Sequence, residues 1–188
     1  MSRRTLPSLR PSLANVPRWG LVAVLAAGWG CHGDDQGGAS TPTTTGIPRD
    51  VVCEWARVVY ITDGDTVRVV FEGRPGEEPV RYIGVDTPET VAPATPVQPF
   101  GPEATARNAQ LVGGSSVCLE RDLSERDRYG RLLRYAWLED GRMVNEVLVL
   151  EGFAVTDTVP PDVKYVDRFT AAQAAAREAE RGIWKASE

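Results

Sequence analysis

Asp63-Gly64-Asp65-Thr66-Val67-Arg68-Val69-Val70-Phe71-Glu72-Gly73 is the stretch on which the fold depends. Asp63-Gly64 is a turn pair, and the apolar-rich run behind it reads as a β-strand that Gly73 breaks. The valine-rich segment Val51 to Ile61 reads as the strand entering that turn. A third run, Val80 to Val85, ends at Asp86, where Pro88 forbids extension. Three strands joined by short turns make an antiparallel meander.

Downstream, Val91 to Pro102 is proline-rich and reads as an exposed loop. Pro102 starts a helix, Glu103 to Val112, stopped by Gly113-Gly114. Ser116 to Arg121 and Arg131 to Leu138 supply two more strands. Asp140-Gly141 turns the chain into a helix from Met143 to Glu151, and a last helix runs from Asp167 to Arg181, ending at Gly182. Five strands with helices after the third and fifth predict an α+β, mainly β domain: a five-stranded Greek-key barrel of the OB type with three helices. In such a barrel the first strand also pairs with the fourth, which would bring Cys53 toward Cys118. A disulfide and two buried reduced cysteines both fit that placement.

Upstream, Arg3, Arg4, Arg10 and Arg18 precede a short apolar core, Gly20 to Gly28, too short to span a bilayer. Residues 1–30 are therefore expected to be a cleaved export signal. Cys31 follows directly and resembles the lipid-attachment cysteine of bacterial lipoproteins, so a membrane-tethered lipoprotein is the preferred expectation beside a free secreted or periplasmic protein. Residues 31–48 are rich in Gly, Thr, Ser and Pro and read as a flexible tether. The globular domain is then 49–188, expected to be monomeric. The chain carries 21 Lys and Arg against 26 Asp and Glu; removing the four arginines of the leader leaves 17 − 26 = −9. A protein so acidic does not coat nucleic acid through a broad basic face, so any phosphate contact must be local.

Three blocks carry hard oxygen ligands or guanidinium groups at strand ends: Asp63 to Thr66, Arg81 to Glu89, and Asp127 to Arg131. Carboxylates suit a hard cation such as Ca²⁺, and arginines suit phosphate. His32, the single histidine, lies in the tether, which excludes a Ser-His-Asp triad and histidine-ligated zinc from the domain. Each residue also has a plain reading. Asp63 and Asp65 are turn residues, Asp86 could cap a loop, and Arg131 could pair with Asp127 or Glu125 in a surface contact of little energy.

Asp-Gly-Asp-Thr-Val (63–67), Val-Asp-Thr-Pro-Glu-Thr (85–90), Gly-Pro-Glu-Ala (101–104), Asp-x-Tyr-Gly-Arg (127–131) and Met-Val-Asn-Glu (143–146), in that order, resemble the staphylococcal-nuclease-like (thermonuclease) family. The resemblance implies a Ca²⁺-dependent phosphodiesterase that cleaves DNA, RNA or both and leaves 3′-phosphate ends. It implies that Asp65, Asp86 and the backbone carbonyl of Thr87 hold one Ca²⁺. Glu89 would orient or deprotonate the attacking water, Arg81 and Arg131 would clamp the phosphate, and Tyr129 would lie beside the nucleotide. The segment Val155 to Pro161 lacks the tyrosine pair usual in that family, and the Pro-rich loop lacks its lysines. The alternative from another class is a catalytically silent OB-fold module that binds nucleic acid or protein.

Overall fold

Eleven residues, Cys53–Asp63, form β1, which the Asp63-Gly64 turn folds back onto β2, Thr66–Phe71. The computed structural model describes residues 46–90 and 98–185. The expected export signal, Cys31, most of the tether and residues 91–97 of the Pro-rich loop lie outside the described residues. In β1 and β2 alternate side chains turn inward, so Ala56, Val58, Val67, Val69 and Phe71 are buried while Arg68 faces out. Burying each of the larger ones stabilises the fold by about 1.5–3 kcal/mol.

The third strand, β3, is Glu78–Tyr82 and pairs antiparallel with β2. Helix α1 follows, Gly101–Val112, then β5, Ser116–Glu120, and β6, Leu132–Trp137. β5 pairs with both β1 and β6, and β6 runs parallel to β3, so the order β1-β2-β3-β6-β5 closes into a barrel. This is the expected five-stranded α+β barrel with three helices. Helices α2, Val144–Leu150, and α3, Val166–Glu178, complete it. Cys53 and Cys118 are joined by a disulfide between β1 and β5, with Cα atoms 5.4 Å apart. Among the described residues no helix is long and apolar enough to cross a membrane.

The run expected to be continuous from Val80 to Val85 is two pieces. β3 stops at Tyr82, and β4 is the separate pair Val85–Asp86, joined to a short strand, β7, Val155–Thr156. Gly84 causes the break: its φ is +77°, and a Cβ there would stand 2.6 Å from the Phe169 ring of α3. The end of α3 also differs. Regular helix finishes at Glu178, and the chain leaves through Glu180 at φ 48° before a 3₁₀ turn at Gly182–Trp184.

A buried polar cluster ties α3 to the barrel. Glu120 at the end of β5 is 2% exposed. It accepts hydrogen bonds from Trp137 Nε1 at 2.7 Å and Tyr165 Oη at 3.0 Å, and it ion-pairs with Lys164. The tyrosine ring packs edge-on against Tyr135, centroids 4.7 Å apart.

Candidate active site

The β1–β2 turn delivers Asp65, 5% exposed, to the mouth of the barrel. One carboxylate oxygen accepts the backbone N–H and the hydroxyl of Thr87, each at 2.9 Å; the other accepts the Thr66 hydroxyl at 3.0 Å. Gly64 makes this approach possible, because a Cβ there would sit 2.7 Å from Thr87 Oγ1 and 2.9 Å from Ala104 Cβ. The turn therefore lies directly against the side chains of Thr87, at the β4 exit, and Ala104 on α1.

Arg81 lies on β3 directly across from Thr66. Its guanidinium ion-pairs with Asp65 and donates to Asp86 Oδ1 at 2.8 Å. Asp86 is raised above the usual carboxylate range. Burial is the main cause; Arg81 pulls against it, while the charges of Asp65 and Asp157 push the same way as burial. Two carboxylates thus converge on one cation, with negative charge left over. Hard oxygens in this arrangement fit a divalent ion of the Ca²⁺ type. Among the described residues no group of three or more His, Cys, Asp or Glu side chains gathers as a metal cage. A cation here would rest on two carboxylates, backbone oxygen, water and substrate.

Glu89 follows Pro88, and its backbone N–H donates to Gln98 Oε1 at 3.0 Å. Its side chain hydrogen-bonds to Asp63. Asp63, 6% exposed, also accepts the hydroxyls of Thr90 at 2.7 Å and Thr105 at 3.1 Å. Burial alone would raise this carboxyl; bonds from Thr90, Glu89, Gly64 and Thr105 outweigh it and hold Asp63 below its ordinary value. Asn108 of α1 donates to the Asp63 carbonyl and accepts the Tyr82 hydroxyl. The Glu89 segment is therefore braced from behind by α1.

The third block comes from the loop before β6. Arg131 Nε donates to Asp127 Oδ2 at 2.7 Å, and the same aspartate accepts the backbone N–H groups of Tyr129 and Arg131. Burial acts to raise Asp127, but these bonds prevail and hold it below its usual value. Arg131 and Arg128 both stack on the exposed Tyr129 ring, at 5.5 and 4.8 Å from its centroid. Asp65, Arg81, Asp86, Glu89, Tyr129 and Arg131 all line one cleft of about 660 Å³. Thr87 lies buried behind it on Asp65, and the Cys53–Cys118 bridge lies outside it.

Residues 79–186 match the family described as "Staphylococcal nuclease homologue". The chain belongs to the staphylococcal nuclease family. It is 44% identical over 128 residues to a thermonuclease of Staphylococcus hyicus, covering 68% of this chain and 74% of that protein. It is 42% identical over 136 residues to a thermonuclease of Staphylococcus intermedius, covering 72% and 79%. Against endonuclease YncB of Bacillus subtilis it is 42% identical over 127 residues, 66% of this chain but 59% of that protein.

This member of the nuclease family has supporting residues that sequence reasoning missed: Gln98, Thr105 and Asn108 behind Glu89 and Asp63, and Arg128 beside Arg131. The pairing of Arg131 with Asp127 was among the sequence expectations. Of the missed residues only Arg128 carried a sequence signal, since it shares a motif with Arg131. The others are ordinary polar side chains whose role exists only once α1 docks.

Proposed function

We infer that this chain is a calcium-dependent nuclease that hydrolyses phosphodiester bonds in DNA, RNA or both, leaving 3′-phosphate ends. The observation that carries the reading is the convergence of three acids and two arginines, from three separated blocks, on one cleft. The nuclease names of its relatives support it.

Diester hydrolysis asks mainly for positioning and charge stabilisation. Arg81 and Arg131 present planar guanidinium groups that match paired phosphate oxygens in a way lysine cannot. Asp127 and the Tyr129 ring restrain Arg131, so its orientation is set before substrate arrives. Glu89 holds the attacking water and, in its ionised form, accepts the proton, with its backbone held by Gln98. Asp65, Asp86 and the Thr87 carbonyl would hold one Ca²⁺, which when bound supplies polarisation of a phosphoryl oxygen and neutralisation of developing charge.

The basic–apolar leader and Cys31 support export followed by lipid attachment, with a free secreted or periplasmic form as the other outcome. A disulfide within the domain fits an oxidising compartment. The protein acts as a monomer in this reading. Globomycin-sensitive processing and palmitate incorporation test the lipid.

The activity is tested by incubating purified protein with a plasmid and with RNA, comparing Ca²⁺, Mg²⁺ and chelator. Cleavage with Ca²⁺ that stops in EGTA is expected. Cleavage that survives excess EGTA contradicts the roles given to Asp65 and Asp86.

A further inference from the structure

A second cleft, about 400 Å³, adjoins the charged one and shares Arg81, Tyr129 and Arg131 with it. That volume suits a small organic group. Its wall is largely apolar, with Ile83, Val85, Leu133, Val159 and the Pro160-Pro161 pair. Flat proline and tyrosine faces next to a phosphate site suit the planar ring of a nucleobase.

Three carboxylates line this cleft, and two of them are committed to the protein. Asp127 holds Arg131. Asp162 is buried and accepts the backbone N–H groups of Leu123 and Ser124 at 3.0 and 2.7 Å. Asp157 differs. Its backbone N–H donates to the Gly84 carbonyl at 3.0 Å, which fixes the residue just beyond β7. Its exposed side chain has no hydrogen bond or ion pair among the described residues. Asp157 is thus the one lining carboxylate left to meet a ligand.

Resting on the nuclease reading above, in which a base of the bound strand lies in this cleft beside the phosphate, we propose that Asp157 makes the site prefer guanine. A carboxylate only accepts hydrogen bonds at neutral pH. The guanine Watson–Crick edge presents N1–H and N2–H side by side, matching both oxygens of one carboxylate. Adenine and cytosine offer one amino donor beside a ring acceptor. Thymine and uracil place N3–H between two carbonyls, which the carboxylate repels. Reading that edge requires an unpaired base, so the preferred substrate is single-stranded.

The test is limited digestion of a randomised single-stranded oligonucleotide pool by the full-length protein with Ca²⁺, followed by sequencing of product ends. Guanine should be enriched roughly tenfold over thymine or uracil at one position flanking the cut. Asp157→Ala should flatten that preference, and Asp157→Asn, which adds a donor, should shift it toward bases with acceptor edges. Melting temperatures matching wild type establish that both variants fold. Cutting without guanine enrichment, or enrichment unchanged in Asp157→Ala, overturns the proposal while leaving the nuclease reading intact. No cutting of any pool overturns the nuclease reading, and this proposal with it.

Discussion

Asp65 and Glu120 are both buried carboxylates, each paired with a cation and satisfied by neighbouring donors, yet they serve opposite ends. Glu120 sits at the end of β5 with Trp137, Lys164 and Tyr165 converging on it, so its acceptor capacity is used inside the fold. Asp65 is held as firmly by Thr66, Thr87 and Arg81, but Asp86 beside it is half exposed and carries surplus negative charge. A closed cluster stabilises; an open one, set in a cleft with further arginines, is equipped to act on something else. Burial of an ion pair alone does not tell the two apart, whereas the exposure of its second carboxylate does.

The comparison breaks if the open cluster proves structural. Glu89→Gln and Arg131→Ala should each lower kcat by about 10²–10⁴-fold, with melting temperature little changed. Turnover within tenfold of wild type in either variant removes that residue from the chemistry.

Glu120→Ala should do the reverse. Trp137 Nε1–H would be left buried without an acceptor, costing about 3 kcal/mol, or roughly 10 °C in Tm. The kcat of the protein that remains folded should match wild type. A large kcat loss at unchanged Tm would mean that the two clusters are coupled.

The smallest expected effect sharpens the boundary between them. Asp127 has a folded pKa below its ordinary value of 3.8, so its contribution is complete above that value. The contribution is lost as pH falls through the lower folded value, when protonation releases Arg131. The contact is partly exposed, so at most about 1 kcal/mol is at stake. Asp127→Asn should remove that much of the acid-side decline in stability, measured by urea unfolding between pH 5 and pH 2.5. An identical decline in wild type and variant would show that Asp127 does not titrate in this way.

The barrel was readable because its cues are periodic. β2 alternates, Asp63-Gly64 marks the hairpin, and Pro88 ends the third run. The break at Gly84 was hidden, since a glycine in an apolar run looks like strand until Phe169 arrives from 85 residues later in the chain to occupy its missing Cβ position. β4 and β7 have two residues each, too few to show any alternation. Within the site, charged residues in tight motifs announced themselves. Gln98, Thr105 and Asn108 did not, because a polar side chain on a helix or loop looks the same whether it braces an active site or faces water.

The parallel seam between β3 and β6 has a further consequence. Val80 aligns with Leu132, so Arg81 and Arg131 flank one of the two barrel junctions between the halves of the chain, the other being β1 with β5. A polypeptide that has made its hairpins but not this junction has both guanidiniums, yet they do not share a cleft. The candidate site is therefore complete only once the barrel closes, and the rate at which activity returns on refolding times that closure.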